Sequence, residues 1–158
     1  ILATGCISQD AGSSPVTAPP PGAPAGSFVS SGGSAIAIAF TTDEISTTSP
    51  EAKDLFVKGL TYSTQYARYN ESLAFFDAAL VIDGNFSEAW IAKGVALHNM
   101  KRYDEAIENY DRALKIDPDD AGTWSLKAMT LRDWGKTAEA AESSQKAAEL
   151  DPGYRNLQ

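Results

Sequence analysis

Apolar residues recur at helical spacing through the C-terminal two thirds of the chain and at strand spacing in one short stretch before it. Between Glu88 and Leu97, the residues Trp90, Gly94 and Leu97 fall on one face of a 3.6-residue period, which predicts a helix. Lys101-Arg102-Tyr103-Asp104 reads as a polar turn, and a second helix from Glu105 to Ile116 stops at Asp117-Pro118, where proline blocks continuation. The pattern then repeats. Trp90 returns as Trp124, Ala106 as Ala140, Ala113 as Ala147 and Asp117-Pro118 as Asp151-Pro152, each step being 34 residues. Ser49-Pro50 reads as a helix start, with Ser as N-cap and Pro in the first turn. Upstream, Ser34 to Thr42 alternates Ile with Ala, which is strand-like. A lone strand of this kind needs a partner for its backbone and its Ile36, Ile38 and Phe40 side chains.

A fixed period of this length predicts stacked helix-turn-helix units, which bind other proteins more often than they catalyse. The residues Trp90, Gly94, Leu97, Tyr103, Ala106, Tyr110, Ala113 and Pro118 resemble the tetratricopeptide repeat. A third unit reads Trp124, Ala128, Leu131, Thr137, Ala140, Ser144, Ala147 and Pro152. The first is more divergent, with Leu55, Gly59, Tyr62, Tyr69, Ser72, Phe76, Ala79 and Gly84. Its back half keeps the 34-residue step while Gly59 to Gly94 is 35, so its turn is expected to hold one extra residue. The resemblance implies an all-α fold, three helix-turn-helix units in a short right-handed solenoid, over residues 50–158 with repeats at about 52–86, 87–120 and 121–154. The thinned apolar content of the last helix, Ala138 to Leu150, suits a half-exposed end unit.

Composition separates the remainder. Residues 1–49 carry three charged side chains (Asp10, Asp43, Glu44), no Lys or Arg, and much Ser, Thr, Gly and Pro. They form an expected extended arm with a β-prone segment at 34–42. The net charge of −8, with cations scattered along the helices, argues against nucleic acid. Ile1-Leu2-Ala3-Thr4-Gly5-Cys6 resembles the lipobox of a lipoprotein signal, with Ala3 where Leu is usual, which makes Cys6 a lipidation candidate. The start at Ile1 rather than Met is read with it as an expectation of export to the cell surface. No run of about 18 apolar residues spans a membrane. Secreted repeat proteins of this look are frequent in methanogenic archaea, to which the resemblance extends. Asn70 and Asn85 head N-glycosylation sequons at expected turns.

In the tetratricopeptide family the first helix of each unit lines a concave groove. The resemblance therefore implies groove positions at Phe56, Leu60, Ser63, Thr64, Ile91, Val95, His98, Asn99, Ser125, Met129, Arg132 and Asp133. Its middle is apolar and lacks the Lys, Arg and Asn set with which relatives clamp acidic tails, so it is expected to take an extended or helical peptide. With one histidine, no phosphate loop and no metal-ligand spacing, neither enzyme, metal nor cofactor is expected. The favoured reading is a self-assembling surface filament subunit whose arm docks on a neighbouring domain. The alternative is a lipid-anchored surface adaptor for a different protein.

Overall fold

The computed structural model describes residues 28–30, 36–38, 40 and 45–156, with backbone alone for 28–30, 36–38 and 156. Two short strands, β1 (Phe28–Ser30) and β2 (Ile36–Ile38), precede six helices. The helices are α1 (Pro50–Tyr66), α2 (Tyr69–Ile82), α3 (Ser87–Asn99), α4 (Tyr103–Ile116), α5 (Ala121–Asp133) and α6 (Thr137–Leu150). A 3₁₀ turn, Pro152–Asn156, closes the described chain. Each odd-numbered helix packs against the even one that follows it, and each pair packs on the next, so the three expected units form a helical solenoid.

The helices start and stop where local chemistry dictates. Ser49 caps α1, its hydroxyl accepting from the Ala52 N–H at 3.3 Å with Pro50 in the first turn. Asp120 caps α5 by accepting from the Gly122 N–H at 2.9 Å. Between the two helices of each unit the chain turns through a left-handed residue, and Ala67 (φ 50°), Lys101 (φ 62°) and Gly135 (φ 86°) stand 34 residues apart. The extra residue of the first unit lies one element earlier than expected, in the last turn of α1 rather than in the connecting turn. There the Arg68 N–H reaches back six residues to the Tyr62 carbonyl, whereas Arg102 and Lys136 reach back five, to Leu97 and Leu131.

Within a unit the two helices touch through glycine. A Cβ on Gly59 would lie 2.5 Å from the Phe76 ring, and one on Gly94 would lie 2.6 Å from the Tyr110 ring. Both rings are fully buried. The third unit has Ala128 and Ser144 at these places, and its interior is correspondingly less aromatic. Between units, Trp90 and Trp124 donate their indole N–H to the Gly84 and Pro118 carbonyls at 3.0 and 2.9 Å, pinning each first helix to the preceding turn. Lys93 pairs with Asp77 at 2.6 Å and Lys127 with Asp111 at 2.5 Å across the same junctions.

The alternating Ile-Ala segment does contain a strand, but its backbone partner is within the chain. β2 pairs antiparallel with β1, Phe28 opposite Ile38 and Ser30 opposite Ile36, and it lies beside α3. β1 has no counterpart among the sequence expectations. Among the described residues no helix is long and apolar enough to cross a membrane.

Gly94→Ala tests the close approach. Overpacking a rigid core costs about 1–3 kcal/mol, which exceeds the roughly 1 kcal/mol that alanine gains over glycine inside a helix. Urea unfolding should therefore show net destabilisation, and an equal or higher midpoint would mean that the Tyr110 ring moves freely aside.

Candidate functional site

The odd-numbered helices share one side of the solenoid, and the end of the arm lies across it. Phe40 packs at a tilt against Phe56 of α1 with ring centroids 5.5 Å apart, and Phe56 in turn contacts Phe86 at 4.8 Å and Phe76 at 6.0 Å. Beyond it the chain is clasped at the α2–α3 turn. The Ser46 N–H and hydroxyl donate to the two oxygens of Glu88 at 2.9 and 2.6 Å, and the Thr47 hydroxyl donates to Asp83 at 2.6 Å. Ser87 adds a further donor to Glu88 at 3.1 Å. Glu88 is only 8% exposed, so these bonds replace the water its carboxylate would otherwise hold. Nothing local in the sequence marks Glu88 and Asp83, because their partners lie 42 and 36 residues away.

The expected groove residues divide three ways. Thr64, Arg132 and Asp133 are exposed, and Leu60, Ser63, Asn99 and Met129 are half-buried, as a lining would be. Phe56, Ile91, Val95 and Ser125 are buried. Phe40 covers Phe56, and the 36–38 backbone lies beside α3, the helix of Ile91 and Val95. His98 stands apart from these. It is 1% exposed and belongs to the junction between the second and third units. The Thr130 hydroxyl lies 2.9 Å from the Leu126 carbonyl, to which it donates, and 2.9 Å from His98 Nδ1. Nε2 faces the Asp133 carboxylate at 3.5 Å, and the ring meets Tyr103 edge-on. Nearby, burial holds the Tyr110 phenol well above its ordinary pKa, which keeps it neutral inside the second unit.

Of the remaining candidates, Cys6 lies outside the described residues, as do the side chains of Ile36 and Ile38. Asn85 is exposed in the α2–α3 turn. Asn70 is exposed too, but it stands in the first turn of α2 rather than in a loop, and its sequon partner Ser72 is fully buried and donates to the Tyr69 carbonyl. No cluster of three or more metal-ligating side chains exists among the described residues.

Residues 87–120 match the tetratricopeptide repeat family, as do residues 109–142 in a second description of that repeat. No curated protein matches the sequence. Among solved structures, the Yersinia enterocolitica type III secretion translocator chaperone SycD aligns with TM-score 0.63 at 25% identity, over 70% of this chain and 85% of SycD. MamA (AMB-1) aligns with TM-score 0.60 at 30% identity, over 66% of this chain and 61% of MamA. The first tetratricopeptide domain of Spaghetti (RPAP3), solved with an HSP90 peptide, aligns with TM-score 0.63 at 20% identity, over 67% of this chain and 83% of that domain. The chain carries tetratricopeptide repeats, a fold that serves as a protein–protein interaction module.

Replacing Glu88 by alanine should undo the clasp while leaving the solenoid intact. Loss of its charge-assisted bonds is worth about 1–3 kcal/mol. Amide exchange at residues 45–49 should accordingly quicken by about 5- to 100-fold while α4 is unaffected. Unchanged exchange there would show that Phe40 alone holds the segment.

Proposed function

We propose that the protein is a non-enzymatic association module of the cell surface, whose N-terminal arm joins copies by docking on the first-helix side of a neighbouring repeat domain. The observation that carries this reading is the seating of Phe40 on Phe56, reinforced by the clasp of Ser46 and Thr47 on Glu88 and Asp83. In the single chain these contacts are internal. The same contacts made to the next copy exchange one identical element for another, and a heterologous exchange that does not close a ring grows into a filament. An acidic-tail clamp is disfavoured, because Lys93 and Lys127 of the first helices are already paired with Asp77 and Asp111. Export rests on the Cys6 segment and the composition of residues 1–49.

A second reading is favoured by that same internal contact: an arm held on its own repeats leaves copies unlinked. The protein is then a lipid-anchored adaptor, tethered through Cys6, that admits a foreign segment when the arm lifts.

Negative-stain microscopy of the full chain separates the two. Self-assembly predicts long uniform fibres for the natural sequence and folded single particles for Phe40→Asp, since a carboxylate in the Phe56 site costs several kcal/mol. Isolated particles at every concentration would eliminate the filament reading. The adaptor reading then predicts that Cys6→Ala releases the protein from membranes, and continued membrane association of that variant would remove it as well.

A further inference from the structure

The two junctions between units are the same interface made twice, and among the described residues α1 and α6 present its unmatched halves. On the incoming side, α3 offers Ala89, Ala92, Lys93 and Ala96, and α5 offers Thr123, Leu126, Lys127 and Thr130 at the same places. The uncharged residues of both sets are almost fully buried, with Ala92 and Leu126 each 2% exposed. The matching positions of α1 are Asp54, Val57, Lys58 and Thr61. Val57 is 45% exposed, Asp54 and Lys58 are exposed, and Lys58 has no ion pair among the described residues. On the receiving side, Leu73, Asp77 and Leu80 of α2 recur as Ile107, Asp111 and Leu114 of α4, and then as Ala141, Gln145 and Ala148 of α6. These last line a shallow cleft of about 550 Å³ with Glu149, Pro152 and Arg155.

We infer that the α6 cleft receives α1 of a second copy, so that molecules stack end to end and continue the solenoid. This rests on the self-association reading but uses a surface other than the arm. Continuity with the interior junctions sets the register: Val57 takes the place of Ala92 and Leu126, and Lys58 reaches Gln145 and Glu149 as Lys93 reaches Asp77. The smaller residues of α6 leave room beside them, and Asp54 brings a carboxylate where the interior junctions have Ala89 and Thr123. The end contact is therefore a weaker version of the interior one, reversible and sensitive to salt.

Sedimentation velocity of the full chain over a concentration series tests this. Ala141→Arg places a long cation on an exposed helical position that the folded monomer tolerates, and Lys58→Glu reverses the cation that matches Lys93 and Lys127. Each should weaken association at least tenfold. Gln145→Asp and Asp54→Ala restore residue types of the interior junctions, and each should strengthen it about two- to fivefold, the range of an exposed charge interaction. A reversible gain that follows mass action at unchanged helicity is not what misfolding produces, since misfolded chains aggregate without a defined stoichiometry, so these two variants guard against a trivial loss. Phe40→Asp reports on the arm separately. Association that survives Phe40→Asp but falls with Ala141→Arg supports stacking and removes the arm. Association lost with Phe40→Asp and indifferent to the four end-face variants overturns stacking and keeps the arm. A natural sequence that stays monomeric throughout overturns both.

Discussion

The distance between the two helices of a unit governs almost everything else in this chain. In the first two units an aromatic ring rests directly on a glycine, Phe76 on Gly59 and Tyr110 on Gly94, with no room for a methyl group. Close contact of this kind ties the helices together at interior packing density, where a change of one methyl is felt. Once the pair is fixed, the positions of Trp90 and Trp124 follow, because each indole must reach a carbonyl in the turn behind it. The stacking of units, and hence the side on which α1, α3 and α5 gather, is a consequence of that spacing.

That side already has an occupant of its own. Phe40 extends the aromatic group of Phe56, Phe76 and Phe86 by one ring beyond the solenoid. A carboxylate that would be costly to leave buried and bare, Glu88, finds its donors in Ser46 and Ser87. Side-chain stacking and charge-assisted hydrogen bonding thus act on adjacent stretches of one segment. The first is indifferent to salt and the second is directional, so together they fix both the depth and the register at which an extended chain lies there.

Much of the fold was legible because repetition multiplies weak signals. Gly94 alone says little, whereas Gly94 with Gly59 before it and Ala128 after it marks a helix contact. The start of α1 at Ser49-Pro50 was equally plain, since capping is local chemistry. The site was less legible, for the opposite reason. Glu88 and Asp83 acquire meaning only through Ser46 and Thr47, which no period connects to them. The surroundings of His98 are equally hidden, since it meets Thr130, Asp133 and Tyr103 from other helices. The pairing of β1 with β2 escaped because Phe28-Val29-Ser30 is too short to carry a pattern.

The left-handed turns have a consequence for how the molecule comes apart. A non-glycine residue in that conformation is held at a cost of roughly 1–2 kcal/mol, and Ala67 and Lys101 bear it while Gly135 does not. The units that carry this burden are the ones with buried aromatic rings, and the unit relieved of it has Leu126 and Leu131 as its largest buried side chains. In a linear array, stability is a sum of unit and neighbour contributions, and melting begins wherever that sum is lowest. By easing the turn where the packing is thin, the chain brings its three units toward equal strength. Heat should then find no loose end to peel, and the array should melt in a single cooperative transition.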